Sequence, residues 1–145
     1  MKNITGNLAT YLAATILLSF GLVYLLRNSF MPYHSVAVAM TWPQVDHATQ
    51  YLILALMRAT SGGFISLAVS IIFLQYKFSQ QRIAWIPVLV LIIGTISMIC
   101  ITYATLVVSL HTPGRPPVAE AVAGEVLLIV GYIFNRKYLQ TPDKS

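Results

Sequence analysis

Four long apolar stretches organise the chain, at 8–26, 51–74, 84–110 and 118–134. Each is apolar all round, and each has at least the roughly 17 residues that carry a helix across the hydrocarbon layer. A membrane strand would instead alternate apolar and polar residues over about 10 positions. The pattern predicts an all-α fold, a four-helix transmembrane bundle forming a single integral membrane domain over residues 1–145. No internal repeat and no low-complexity segment interrupts it.

The connectors add detail. The first, 27–50, is the longest and contains Phe30-Met31-Pro32-Tyr33-His34, then small apolar residues, then Thr41-Trp42-Pro43-Gln44. Pro32 followed by small apolar residues predicts a short amphipathic helix on the outer face, with Tyr33 and Trp42 at headgroup level. Thr41-x-x-Gln44 has the form of a capping box with Pro43 in the first turn, so the second helix is expected to begin near Trp42. Asp46 would favour that helix N-terminus electrostatically. His111-Thr112-Pro113-Gly114-Arg115-Pro116-Pro117 reads as a stiff, tight turn, and 135–145 as a polar, frayed tail.

Within the spans, small and hydroxyl residues recur at helical spacing. Tyr11, Thr15 and Ser19 form one row, and Thr95, Thr102 and Ser109, with Thr105 beside them, form a bundle-facing row. In the second span, Gly62, Ser66 and Ser70, and the pair Ala59 and Gly63, let helices approach closely. Gly62-Gly63 could alternatively bend the helix.

Composition agrees with lipid as the solvent. The hydrophobic fraction is 57% and the charged fraction 9%, against about 25% charged residues in a soluble domain. Mean hydropathy is +0.75 and the pI is near 9.6. One side of the bundle carries Lys2, Lys77, Arg82, Arg136, Lys137 and Lys144, the other Arg27 and Arg115. The positive-inside rule then places both termini in the cytoplasm and the 27–50 and 111–117 loops outside. The charges are dispersed and suit anionic headgroups rather than nucleic acid. Lys2 before an apolar run, with Ala37-Val38-Ala39 further on, resembles a signal peptide. The run is too long, however, and the site too distant from it, so a retained first helix is expected. Cys100 stands alone and reads as a small buried hydrophobe. The pattern resembles that of small four-span bacterial membrane proteins generally, which points to a bacterial inner membrane.

Charges inside spans are costly and mark pairing or function. Arg58 and Glu125 are the two that sit well inside. Counted from the outer ends of their spans, both fall about 10–14 Å below the surface at 1.5 Å per residue. Thr102 and Ser19 fall in the same layer. An Arg58–Glu125 ion pair ringed by Thr102, Ser19 and Ser61 is therefore expected, as a ligand-binding centre or as a device that fixes helix register. Tyr33, His34, Trp42, His47, His111 and Glu120 would form its mouth. Three histidines with Asp46 and Glu120 on one side invite a zinc reading, but their spacing matches no ligand motif. No haem, metal or other cofactor is expected.

Three functions follow. The first is a protein binding or passing a small amphiphilic or anionic ligand in the outer half, with Arg58 as the anion contact and Glu125 as its partner or a proton acceptor. The second is an accessory subunit of a larger membrane complex, or a homo-oligomer, docking through the small-residue rows. The third is an enzyme acting on lipid or quinone with His34 or His111 and Glu120 as acid and base. No Gly-x-Ser-x-Gly elbow is present and Cys100 has no histidine at its depth, so catalysis is the least supported.

Overall fold

The computed structural model describes residues 3–141. Lys2 and Lys144, counted above toward the basic end, lie outside the described residues. The elements are α1 (Ile4–Leu26), α2 (Pro32–Val38), a 3-10 turn (Trp42–Gln44), α3 (His47–Gln81), α4 (Ile86–His111) and α5 (Val118–Gln140). Among the described residues there is no strand. Helices α1, α3, α4 and α5 are long and apolar enough to cross a membrane. They pack as an antiparallel bundle in which α1 lies against both α3 and α5, and α4 against α5 and, less closely, α3.

Local sequence explains the helix ends. The Asn3 side chain caps α1 by accepting from the Gly6 N–H. Asp46 caps α3 by accepting from Thr49 N–H at 3.0 Å, and the Thr49 side chain together with that N–H holds its carboxyl below its ordinary range. The expected Thr41–Gln44 capping box forms, but it closes only the separate 3-10 turn, and α3 starts five residues after Trp42. Arg82 ends α3 in the left-handed region at φ 51°. Its guanidinium donates to the carbonyls of Tyr138 and Thr141 and lies over the Tyr138 ring. A cation there complements the negative C-terminal end of α5.

The core is a column of small and branched apolar side chains, among them Ala13, Ala14, Leu17, Ala68, Ile71, Val90, Met98 and Leu128. Exposed Leu, Ile, Val and aromatic side chains cover the outside of the bundle, including Leu8, Leu22, Phe73, Ile96, Ile99, Val126 and Ile133.

The end that carries the termini is tied by amides. Gln75 and Asn135 are 0% and 1% exposed. Asn135 Nδ2 donates to Gln75 Oε1 at 3.0 Å, and Gln75 Nε2 donates to Asn7 Oδ1 at 2.7 Å. Ser79 Oγ donates to the same Asn7 oxygen at 3.0 Å, and Asn3 donates to Asn135. The node joins α1, α3 and α5. Helix α5 therefore continues through Asn135 to Gln140, where a frayed tail was expected.

Other expectations are also corrected. Helix α3 runs straight through Gly62-Gly63 without a bend, and nothing lies within 4 Å of a Cβ built on either glycine. Ala59, Gly62, Gly63, Ser66 and Ser70 are exposed. The tight contact on α3 is made instead by Ser61 and Ile65 against Gly21 of α1. Cys100 faces outward rather than into the core.

Removing an amide from the node leaves its partners buried and unpaired, at a cost of about 1–2 kcal/mol. Asn135→Leu is expected to lower the thermal midpoint of the purified protein by several degrees, and Ser109→Ala, on the exposed face of α4, to leave it unchanged. Equal midpoints for the two variants, by tryptophan fluorescence or circular dichroism, would remove the node as the clamp.

Candidate functional site

Arg58 and Glu125 do not meet. Arg58 Nη2 donates to Asn28 Oδ1 at 3.4 Å, just beyond the end of α1. Glu125 Oε1 accepts from Thr95 Oγ1 of α4 at 2.9 Å. The expected pairing failed because the depth count took 51 as the outer end of the second span. Helix α3 has 35 residues, about 52 Å at 1.5 Å per residue, and its first turns project past Leu26. Arg58 is therefore level with the end of α1. Gly124, next to Glu125, packs against Met98 and Ile16. Ile16 is ten residues inside Leu26, so the two charges differ in depth by about 15 Å. Arg58 Nη1 and Glu125 Oε2 are both buried without a hydrogen-bond partner.

The remaining candidates separate into three places. Thr102 and Glu125 share a shallow groove of about 370 Å³ between α4 and α5, with Met98, Tyr103, Leu106 and Val122. Ser61 is fully buried, and its hydroxyl donates to the Arg58 carbonyl at 2.6 Å; it is part of the α1–α3 contact and lines neither this groove nor the larger cavity. Ser19, Tyr33, His34 and Glu120 come together in a larger cavity.

This cavity, about 590 Å³, lies at the α2 end of the bundle. Helix α1 contributes Thr15, Ile16, Ser19, Phe20, Val23 and Tyr24. Opposite stand Ile101, Ala104, Thr105 and Val108 of α4. Thr60 and Phe64 come from α3, and Pro116, Pro117 and Glu120 from the start of α5. Met31, Tyr33 and His34 of the α2 segment form a roof. The roof is held by a hydrogen bond of 2.6 Å between the Tyr24 and Tyr33 hydroxyls, and burial beside that bond pushes the Tyr33 phenol well up. Below, the 111–117 turn fits tightly under α2, because a Cβ on Gly114 would stand 2.7 Å from the Tyr33 carbonyl oxygen. Thr15 and Thr105 spend their hydroxyls on their own backbones, at Tyr11 and at Ile101 and Thr102. Apart from the Ser19 hydroxyl the cavity is thus apolar along its length, and Tyr24, Tyr33, His34 and Glu120 gather at the roof end.

Of the other mouth residues, Trp42 stacks edge-on against Phe30 at 5.0 Å and does not line the cavity. His47 and His111 are exposed, at the start of α3 and the end of α4. Among the described residues no three His, Cys, Asp or Glu side chains gather into a metal-binding group. Among the cavity residues missed from sequence are Phe20, Tyr24, Phe64, Ala104 and Pro116. Nothing but their position facing the gap distinguishes them from ordinary span residues. No family model, curated protein or solved structure matches the chain.

His34 Nδ1 accepts from the Met31 N–H at 3.3 Å and so must be unprotonated in this roof. Burial lowers the His34 pKa from its ordinary 6.5. A histidine whose folded value is depressed stabilises the fold above its unfolded pKa, and that contribution is lost as pH falls through the folded value. The roof should therefore loosen as pH falls below the ordinary histidine range. Hydrogen exchange over residues 31–40 should accelerate between pH 7 and pH 5 beyond its intrinsic rate change, and His34→Gln should abolish that excess. A pH-independent exchange pattern in the unmodified protein would refute it.

Proposed function

We propose that this chain is an integral membrane protein that binds, or passes, a small amphiphile in the cavity beneath α2. The supporting observation is the polarity of that cavity. Its walls are hydrocarbon and aromatic, and Tyr24, Tyr33, His34 and Glu120 lie at one end. Concave apolar sites of about 300–1,000 Å³ with a few convergent polar groups are the usual form of a small-molecule site. An alkyl or polycyclic body fits between α1 and α4, with its polar end under the roof. Membrane insertion is supported by the four long apolar helices and their greasy exterior. The orientation, termini in the cytoplasm of a bacterial inner membrane, rests on the excess of basic residues at the terminal end. Arg58 stands outside the cavity and bonded to Asn28, so the anion contact once assigned to it has no place in this reading.

Filling the cavity tests the proposal. Ala104 lines it, whereas Ile129 is exposed on α5 and does not. In nanodiscs of phosphatidylcholine, Ala104→Trp should weaken binding of radiolabelled dodecanol at least fivefold, measured by scintillation proximity, and Ile129→Trp should not. Equal binding by both variants would place the probe elsewhere.

One observation favours a second reading, an accessory subunit. The row of Ala59, Gly62, Gly63, Ser66 and Ser70 on α3 is exposed, with open space over both glycines, and small residues in lipid allow close helix approach. Gly63→Leu should then release any partner that co-purifies in mild detergent. A chain that purifies alone, identically with and without the substitution, counts against this role.

A further inference from the structure

The charge around the cavity narrows the class of ligand. Among its lining groups the one carboxylate is Glu120, and no described lysine or arginine lines it. Glu120 makes no ion pair and no hydrogen bond with another described residue. Its only structural service is electrostatic, in the first turn of α5, where the helix N-terminus favours a negative charge. Arg115, the nearest cation in sequence, is exposed and does not line the cavity.

Around that carboxylate the cavity is aromatic. Phe20 and Phe64 lie 6.3 Å apart and Tyr24 stands edge-on to Phe64 at 6.4 Å. The Tyr33 ring packs edge-on to His34 at 4.3 Å in the roof. Ring faces attract cations, most strongly where water is excluded. His34 brings no competing positive charge, because its half-buried ring accepts from the Met31 N–H and burial favours the neutral form. An anionic head would sit beside Glu120 with no cation to offset it. A neutral head would gain no charge attraction from the carboxylate, which is exposed and has no described cation beside it in the lining.

We propose that the cavity selects lipophilic amines, with the ammonium group between the Glu120 carboxylate and the Tyr24 and Tyr33 rings and the alkyl body running down between α1 and α4. This rests on the reading of the cavity as a ligand site and adds the headgroup it takes.

Three probes with one tail separate the two claims: dodecylamine, dodecanol and dodecanoate, each bound to the full chain in phosphatidylcholine nanodiscs at pH 7.5. Dodecylamine should bind at least tenfold more tightly than dodecanol, and dodecanoate more weakly than either. Glu120→Gln should bring the amine-to-alcohol ratio close to one. Glu120→Asp, which keeps the charge, should retain most of the preference and controls for any loss of fold in the glutamine variant. A ratio near one in the unmodified protein, or one that Glu120→Gln leaves intact, overturns the selection for amines while the cavity stands, provided dodecanol still responds to Ala104→Trp. Binding of none of the three overturns the cavity reading and the amine selection together.

Discussion

The bundle depends on one unequal distribution of hydrogen bonds. In lipid, apolar helices gain nothing from hiding apolar surface from one another, so close packing and interhelical hydrogen bonds must hold them. Here the bonds gather at the terminal end, where Asn3, Asn7, Gln75, Ser79 and Asn135 tie α1, α3 and α5. Arg82 reinforces that end by binding the last carbonyls of α5. Helix α4 joins midway, through Thr95 and Glu125 and through the contact of Met98 with Gly124. Beyond Glu125 no side-chain hydrogen bond crosses between the four long helices among the described residues. At that end α1 stays packed on α3 through Gly21 while α1 and α4 stand apart, and α2 covers the gap.

Much of the fold was legible because hydropathy is a long-window signal. Four apolar runs and a short helix opening at Pro32 follow from local chemistry and appear in the structure, whereas the cap of α3 falls at Asp46 and not at Thr41. What was hidden is of one kind. Asn7, Gln75 and Asn135 each stand at the first polar position beyond an apolar run, where sequence cannot distinguish a buried amide from a solvated flank. They were assigned to the connectors and the tail, yet they form the clamp. The error over Arg58 has the same source. Hydropathy marks where an apolar run begins, not how far a neighbouring helix reaches, and α3 outruns α1 by several turns.

Facing was the other thing sequence could not supply. Gly62, Ser66 and Ser70 have the spacing of a packing seam but look outward, while Ser61, one residue away, carries the contact with Gly21. The helices are apolar on all sides, so no amphipathic stripe fixed their rotation. For the same reason Ser19, Tyr33, His34 and Glu120 were grouped with Arg58 and Thr102, although only the first four share a cavity. Their convergence is what narrows the proposed reading, from an amphiphile or anion held by arginine to an amphiphile whose head meets phenols, a neutral histidine and a carboxylate. The two orphan polar atoms, on Arg58 and Glu125, lie outside this cavity and are separate features of the bundle.

The most direct measurement is a density map of the protein in nanodiscs supplied with dodecylamine. The cavity beneath α2 should hold elongated non-protein density, its head between Glu120 and the paired hydroxyls of Tyr24 and Tyr33, its tail between Ser19 and Ala104. A map in which α1 and α4 close on each other at that level, leaving no room between Phe20 and Ala104, would contradict the reading.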